Sequence, residues 1–310
     1  MDYDITVFTP TYNRANTISR VFDSLQKQSI KSFEWLIIDD GSTDNTKEII
    51  ENFKKNADFP IRYYWKENGG RHTAVNYSYS LIHTDYVVTC DSDDELMPDA
   101  IEKMIRTWRI IESSGRNRFW CITGREINKK TGEMVGTPFP PNINSLSGRA
   151  QRKEILRHPG EKHCCRRVDI LVKYPFPVYS DTKFVSENQV WEIINRTYDQ
   201  YCVNDIYGAY YTDTPDSLTN GKRKFSTYRT YYHMGIFMIN NLFDEFFFNK
   251  GVLLYLVSVS RYALVTHIPY REVMAELNAW YKKALVTLLY PVSWIWVKTH
   301  INSENYDPNA

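Results

Sequence analysis

Several signatures that would identify a protein class are missing from this sequence. No GxGxxG motif follows the first predicted strand and no GxxxxGKS/T motif occurs, which disfavours a dinucleotide-dependent dehydrogenase and a P-loop nucleotidase. The five cysteines show no CxxC spacing, so we expect reduced thiols in a cytosolic protein and neither a disulfide framework nor a zinc site. The N-terminus shows no basic segment followed by an apolar one, so we expect no signal peptide.

Length and charge set the scale of the protein. The chain has 310 residues, of which 43% are hydrophobic, enough to bury the core of one large domain or of a domain with a helical appendage. Its net charge of +1 gives no general attraction to nucleic acid, and we expect no nucleic-acid partner. Aromatic residues make up 15% of the chain, which suits sugar contacts, stacking surfaces and a membrane-interface face alike.

Apolar, β-branched runs alternate with amphipathic helical patterns in the first 99 residues. This β-α-β-α-β-α-β order predicts a parallel, doubly wound sheet with right-handed crossovers. The predicted strands are 5–9, 33–38, 61–65 and 86–89, and the predicted helices are 16 or 17 to 27, 43 or 44 to 55, and 73–82. Further along, we predict a helix from 99 to 113, a strand at 120–124, a hairpin turn at 128–133, a loop at 138–147 and a last strand at 207–212.

A polar cluster follows each of the first four predicted strands. The clusters lie at 11–14, 39–44, 68–72 and 91–94. Ligands in parallel sheets bind beyond the carboxyl ends of the strands, so the four clusters together predict a binding site at one edge.

The fourth cluster holds three carboxylates, those of Asp91, Asp93 and Asp94. Their mutual repulsion makes it costly to keep all three ionised, and a bound Mg²⁺ or Mn²⁺ would remove that cost, since hard cations prefer oxygen ligands. A polar turn is the alternative, because Asp and Ser are favoured in turns and at helix starts, and Asp94 would then cap the segment from Glu95 to Ala100. The cluster alone leaves both interpretations open.

Taken in order, the four motifs resemble those of the family 2 glycosyltransferases. They read TPTYNR at 9–14, IDDGSTD at 38–44, NGG at 68–70 with Ala74 and Asn76, and DSDD at 91–94. The resemblance covers the first two-thirds of the chain. It implies the glycosyltransferase-A fold, an α/β class with a Rossmann-like, mostly parallel sheet flanked by helices, here with a C-terminal helical extension. It also implies a nucleotide-diphosphate sugar as donor, with a UDP-sugar favoured.

The resemblance also implies roles for single residues. Asp93 would be the direct ligand of Mn²⁺ or Mg²⁺, and Asp91 would hold the ribose or a metal-bound water as the second acid of the metal motif. Asp40 would hydrogen-bond the nucleotide. The residues that would bind the nucleotide sugar are Pro10, Tyr12, Arg14, Asp40, Arg71, Asp91 and Ser92. The alternatives are a turn or cap for Asp39 and Asp40, a half-buried aromatic for Tyr12 and a surface charge for Arg71.

Family members carry an acid at a helix start, four residues before a Trp and often as Glu-Asp. Alignment on Trp191 puts Glu187 at that position, between Ser186 and Asn188, so the acidic pair is missing. The resemblance implies that Glu187 is the catalytic base of a single displacement that inverts the anomeric carbon. The alternative is an acid favoured in the first turn by the helix dipole. His163 is expected to be a surface or core histidine in preference to a ligand contact.

The predicted domain organisation is a catalytic domain at 1–215, with a nucleotide-binding half at 1–99 and an acceptor half at 100–215, followed by a helical region at 216–310. The basic segment 214–224 predicts either a lid over the donor phosphates or a linker. The apolar segment 284–297 is shorter than the roughly 20 residues of a membrane span, and predicts either an interfacial helix or a buried one. We therefore expect a cytoplasmic protein, with peripheral contact at the inner face of the membrane left open.

The function implied is a metal-dependent, inverting glycosyltransferase that acts in polysaccharide or other glycan biosynthesis, with a glycan or lipid-linked glycan as acceptor. A sugar-phosphate nucleotidyltransferase is the first rival, but it should carry a glycine-rich loop with a basic residue after the first strand, and residues 9–14 do not supply one. A catalytically inactive nucleotide- or glycan-binding module is the second rival, favoured by the altered motif at 186–188.

Overall fold

The structure is a computed structural model that describes residues 3–115, 118–140, 162–212, 225–246 and 250–300. These residues form two compact units. The first lies within Met1–Phe176 and Ile194–Pro215, and the second within Pro177–Ile193 and Asp216–Ala310. The segment that carries Glu187 therefore groups with the C-terminal helices and not with the sheet.

The first unit is built on an eight-stranded sheet. Its strands are β1 (Ile5–Thr11), β2 (Phe33–Asp39), β3 (Ile61–Trp65), β4 (Tyr86–Thr89), β5 (Glu95–Leu96), β6 (Phe119–Asn128), β7 (Lys162–Arg167) and β8 (Asp199–Tyr210). The spatial order is β3-β2-β1-β4-β7-β6-β8-β5. The first four strands pair in parallel, as do β6 and β8, whereas β7 runs antiparallel between β4 and β6 and β5 runs antiparallel to β8. This confirms the predicted α/β class and the mostly parallel sheet.

Helices follow the strands in the order that the sequence predicts. They are α1 (Ile18–Gln26), α2 (Thr46–Asn56), α3 (Arg71–Ser78), α4 (Ala100–Ser113), α5 (Val168–Leu171), α6 (Asn188–Thr197), α7 (Phe225–Phe246), α8 (Lys250–Val265), α9 (Tyr270–Glu276) and α10 (Trp280–His300). Because α1, α2 and α3 each connect two parallel strands, the carboxyl ends of β1 to β4 lie at one edge of the sheet.

The core of the first unit explains why β1 and β2 read as continuous apolar runs. Every residue of both strands is buried, as expected for parallel strands covered on both faces. Leu25 of α1 and Trp108 of α4 pack in the same core. Trp35 lies within it and satisfies its indole N–H by donating to the hydroxyl of Thr9 over 2.9 Å.

The expectation that Asp94 caps a helical segment from Glu95 to Ala100 is wrong. Glu95 and Leu96 form β5, which pairs with Ala209 and Gly208 of β8. Pairing with a strand more than a hundred residues away overrides the local capping pattern, and α4 begins only at Ala100.

Other boundaries differ from prediction by a few residues. The helix predicted at 73–82 is α3, which begins at Arg71 and ends at Ser78. The last strand was predicted at 207–212, whereas β8 begins at Asp199. The predicted loop at 138–147 lies mostly outside the described residues, and the predicted lid or linker at 214–224 lies wholly outside them.

The second unit is helical and has its own apolar core. Tyr232 and Leu242 of α7, Val259 of α8 and Val286 of α10 belong to it. Gly235 permits the close approach of α7 and α8, because a Cβ there would lie 2.6 Å from a methyl group of Val259. Within the described residues, every helix falls short of the length or the apolar character that a bilayer crossing requires.

Candidate functional site

The loop after β1 is tied to the loop after β2. Asn13 adopts a left-handed backbone conformation with φ of 51°, which Asn tolerates better than most residues. Its backbone N–H donates to the hydroxyl of Ser42 over 2.8 Å, and its side-chain oxygen accepts from the N–H of Thr43 over 2.8 Å. The N–H of Ala15 donates to the carboxylate of Asp44 over 3.0 Å. The first two polar clusters therefore form one connected surface at the carboxyl edge.

The predicted donor-binding residues of the first loop have different environments. Pro10 is buried within β1 opposite Ile38. Tyr12 is 47% exposed, so its ring is available to a ligand. Arg14 is half-buried, and its backbone N–H donates to the hydroxyl of Thr46 at the start of α2 over 3.0 Å.

Asp40 is buried, with 4% of the residue exposed, and its carboxylate accepts four hydrogen bonds from the protein. The ammonium group of Lys66 and the N–H of Gly69 donate to one oxygen over 2.5 and 3.0 Å. The amide of Asn68 and the N–H of Gly70 donate to the other over 3.2 and 2.8 Å. Since a carboxylate offers about four lone-pair sites, Asp40 is saturated within the chain.

Asp39 is also held internally. Its side chain is fully buried, and its two oxygens accept from the N–H of Ser42 and from the hydroxyl of Tyr63, each over 2.7 Å. Burial, together with this carboxylate, raises the pKa of Tyr63 well above its ordinary value. Asp39 therefore fixes the turn after β2, in agreement with its alternative role as a turn residue.

The acids after β4 have far fewer partners. Asp91 accepts one bond from the guanidinium of Arg71 over 2.7 Å. Desolvation is the largest influence and would raise the pKa of Asp91, but the charge and hydrogen bond of Arg71 and other nearby positive charges together outweigh it, so the pKa lies below its ordinary value. Among the described residues, none donates to the carboxylate of Asp93, although its backbone carbonyl accepts from Arg20 over 3.1 Å. Ser92 between them is buried.

Asp94 shows that this loop carries uncompensated negative charge. Burial and the charges of Asp91 and Asp93 raise the pKa of Asp94 to about 8, although one of its oxygens accepts from the backbone N–H of Tyr211 over 3.1 Å. A carboxyl group with such a pKa is protonated at neutral pH unless a cation offsets its neighbours.

The donor set suits a hard divalent cation. In the part of the chain that the structure describes, no group of three or more His, Cys, Asp and Glu side chains is arranged to hold a metal ion. Mg²⁺ sites in nucleotide-dependent enzymes usually use one or two carboxylates and complete their shell with water and substrate phosphates. Asp91 and Asp93 are carboxylates of that kind, and after burial their charges are the main causes of the raised pKa of Asp94, so a cation bound between them would offset this repulsion.

His163 and Glu126 form a buried pair that the sequence interpretation missed. His163 lies on β7 opposite Gly124 of β6, and its Nδ1 lies 2.8 Å from Oε1 of Glu126. Both residues are more than nine-tenths buried. The two residues are 37 positions apart, and only the β6–β7 pairing brings them together, so no local sequence signal could have found the pair.

Glu187 lies in the second unit, directly before α6. One of its carboxylate oxygens accepts from the indole N–H of Trp191 over 3.0 Å, and its backbone carbonyl accepts from the N–H groups of Val190 and Trp191. The four-residue spacing between the acid and the Trp therefore allows a direct hydrogen bond between their side chains. The predicted catalytic role of Glu187 stays a prediction.

The sequence matches one family model and is similar to several known proteins. The sequence model of "Glycosyl transferase family 2" matches residues 6–166, which is 161 of the 310 residues. The chain is 39% identical over 102 residues to a chondroitin synthase of Pasteurella multocida, a match that covers 33% of this chain and 10% of that protein. It is 31% identical over 143 residues to a poly-beta-1,6-N-acetyl-D-glucosamine synthase of Staphylococcus epidermidis, which covers 46% of this chain and 30% of that protein. The chain thus spans well under two-thirds of these relatives.

A solved structure shares the fold over nearly the whole chain. The crystal structure of residues 1–349 of S. aureus TarS in complex with UDP-GlcNAc superposes with a TM-score of 0.58. The identity is 17%, and the superposition covers 97% of this chain and 93% of that one. This confirms the predicted fold.

Proposed function

The chain belongs to glycosyl transferase family 2, and we propose that it moves a sugar from a nucleotide-diphosphate donor to the hydroxyl group of an acceptor, with inversion of the anomeric carbon. The observation that carries this proposal is the group of acids after β4, where burial and the charges of Asp91 and Asp93 raise the pKa of Asp94 to about 8 and no described residue donates to the carboxylate of Asp93. A site with this charge is suited to a divalent cation bound to a diphosphate.

The donor proposed is a UDP-sugar. The complex of S. aureus TarS with UDP-GlcNAc, a structure of the same fold, supports this choice. The relatives named as chondroitin synthase and poly-beta-1,6-N-acetyl-D-glucosamine synthase support a role in polysaccharide or other glycan biosynthesis. A glycan or a lipid-linked glycan would then be the acceptor.

Asp93 and Asp91 would hold Mn²⁺ or Mg²⁺, which supplies positive charge to the leaving nucleoside diphosphate. Arg71 orients Asp91 through its ion pair and lies at the first turn of α3. Ser92 belongs to the same loop. Together these residues would bind the diphosphate and ribose end of the donor.

The nucleotide base would lie against the first two loops. Tyr12 offers its exposed ring, and Pro10 and Arg14 lie on either side of it in the chain. A hydrogen bond from the base to Asp40 requires that one of the four internal donors to Asp40 give way. Asp40 therefore also fixes the backbone at 68–70, against which the base would lie.

Glu187 is the proposed base. The acceptor hydroxyl attacks the anomeric carbon, the bond from that carbon to the diphosphate oxygen breaks, and the hydroxyl proton passes to Glu187. Placing such a base is worth about 10²–10⁴-fold in rate. The hydrogen bond from Trp191 to one carboxylate oxygen fixes the orientation of the Glu187 side chain.

We propose cytoplasmic localisation with peripheral contact at the inner face of the membrane. The support is α10, where Trp280, Leu288, Val292 and Ile295 are each more than half exposed and Lys298 lies near the end of the helix. Flotation with anionic liposomes tests this, and protein that stays at the bottom of the gradient contradicts it.

A panel of nucleotide sugars, incubated with Mn²⁺ with and without glycan acceptors, tests the proposed function through release of nucleoside diphosphate. Glu187→Gln should bind the donor normally and lose transfer, and Glu192→Gln in the same helix serves as the matched control. An inactive module would release no nucleoside diphosphate with any donor. A nucleotidyltransferase would instead release pyrophosphate from a nucleoside triphosphate and a sugar phosphate.

A further inference from the structure

His163 and Glu126 leave polar atoms unpaired in the interior. The residues are 7% and 8% exposed, and their 2.8 Å contact uses Nδ1 of His163 and Oε1 of Glu126. Among the described residues, neither Nε2 of His163 nor Oε2 of Glu126 has a hydrogen-bond partner. An unpaired buried polar group costs about 1–3 kcal/mol, so two at one place indicate a ligand that completes the pair.

The pair lies next to the acidic loop. Val87 and Val88 of β4 pair with Arg166 and Cys165 of β7, so His163, two residues before Cys165, lies level with the residues that follow β4. Gly208 of β8 pairs with Glu126 on one side and with Leu96 on the other, and a Cβ at Gly208 would lie 3.4 Å from the backbone oxygen of Glu95, the residue after Asp94. Both members of the pair are therefore close to the proposed metal and diphosphate.

A glycine on β8 leaves room for the ring of His163. Gly208 of β8 lies opposite Glu126 in the β6–β8 register. A Cβ at Gly208 would lie 2.8 Å from Nδ1 of His163, so any side chain there would displace the ring. A glycine at this position preserves the orientation in which the ring pairs with Glu126.

The chemistry of the pair selects the kind of ligand group. A carboxylate can only accept, so Nδ1 of His163 carries the hydrogen and Nε2 offers a lone pair when the ring is neutral. A phosphate would be repelled by Glu126. A hydroxyl group can donate to Oε2 of Glu126 and can donate to or accept from Nε2, so it fits either protonation state of the ring.

We propose that His163 and Glu126 bind a hydroxyl group of the donor's transferred sugar and thereby determine which sugar is accepted. The transferred sugar is bonded directly to the diphosphate, so its hydroxyl groups are the ligand groups nearest to a pair that lies beside the acidic loop. This inference rests on the proposed function.

The test compares the affinity of UDP with that of UDP-sugars in the presence of Mn²⁺, by calorimetry. Glu126→Gln and His163→Gln should leave the Kd of UDP within about twofold and weaken the accepted UDP-sugar by about 100-fold, because only the sugar contact is lost. Thr123→Val, which removes a buried hydroxyl of the same strand, is the matched control. An equal loss of affinity for UDP and UDP-sugar in both variants would show a merely structural role.

A second measurement varies the ligand. Monodeoxy UDP-sugar analogues should bind the unmodified enzyme normally except at one ring position, where the loss is about 100-fold, and His163→Gln should be insensitive to that one deletion. A flat response across the analogues overturns the inference while the proposed function stands. Failure of the unmodified enzyme to bind any nucleotide sugar contradicts the proposed function itself.

Discussion

The acids after β2 and the acids after β4 lie at the same edge of the sheet, yet the chain surrounds them differently. Asp39 and Asp40 are buried and together accept from six protein donors. Asp91 accepts from Arg71, Asp94 accepts from one backbone N–H, and no described residue donates to the side chain of Asp93. The protein supplies most of the hydrogen-bond donors for the first two acids, whereas the proposed role of Asp91 and Asp93 is to bind a cation.

Acidic motifs can therefore serve two separate purposes, to stabilise a loop or to bind a ligand. In a folded chain, a carboxylate with all its acceptor sites filled stabilises its own loop, whereas one with empty sites and a raised pKa in its neighbour is prepared for a ligand. The two groups of acids should therefore respond to substitution in different ways: substitutions after β2 should affect stability, and substitutions after β4 should affect catalysis.

The largest effect is expected at Asp93. Asp93→Asn should lower the rate of sugar transfer on the order of 10³-fold, because a neutral amide is a poor ligand for a hard cation and the leaving diphosphate loses charge compensation. Initial rates at saturating Mn²⁺ measure the loss, and the midpoint of urea unfolding should stay unchanged. Asp99→Asn, which breaks only an exposed pair with Lys103, is the control. A variant with full activity would show that the acidic loop is not the metal site.

The second largest effect is expected at Asp40, where substitution should lower the stability of the fold. Asp40→Asn should lower the free energy of unfolding by about 3 kcal/mol, because Lys66 and two backbone N–H groups lose a buried charged acceptor. Urea unfolding measures the change, with Asp58→Asn at the surface as the control. Loss of nucleotide binding without loss of stability would instead make Asp40 a ligand residue like Asp93.

A third expectation concerns the pH dependence of the metal-free protein. The pKa of Asp94 is raised from 3.8 to about 8 in the folded state, so between these values the folded protein holds a proton that the unfolded chain has released. The free energy of unfolding should therefore fall as pH rises through this window and level off above it. The effect is smaller than that at Asp40, because solvent screens the partly exposed acids. Asp94→Asn should reduce the slope measured in a chelator, and an unchanged slope would refute the charge imbalance.

The smallest effect is expected at Arg71. Its pair with Asp91 is partly exposed, with side-chain exposures of 34% and 47%, so Arg71→Gln should change stability by less than about 1 kcal/mol. Donor affinity should fall by about 10-fold, because Asp91 loses the group that orients it. Thermal unfolding and calorimetry separate the two quantities. A large loss of stability would place Arg71 with Lys66, among the residues that hold the fold.

Much of the first hundred residues was predictable because the signals are local. The strands at 61–65 and 86–89 were predicted to the residue, since β-branched and aromatic runs end there in turn residues. The clusters at the carboxyl edge follow from the alternation of strands and helices, and the structure ties the first two together through Asn13.

What the sequence could not indicate depends on partners far along the chain. Glu95 and Leu96 look like a helix start but pair with β8, and His163 meets Glu126 only through the β6–β7 pairing. The sequence also gives no sign that the carboxylate of Asp40 accepts four hydrogen bonds, because Asp40 follows β2 and its four donors follow β3. The proposed catalytic role of Glu187 rests on the resemblance, and the structure adds its hydrogen bond with Trp191.

The most direct test is a calorimetric titration of the unmodified protein with UDP, in a chelator and then in Mn²⁺. We expect binding with Mn²⁺ and little or none in the chelator, because the acidic loop repels a diphosphate until a cation offsets its charge. Equal affinity for UDP in both conditions would contradict it.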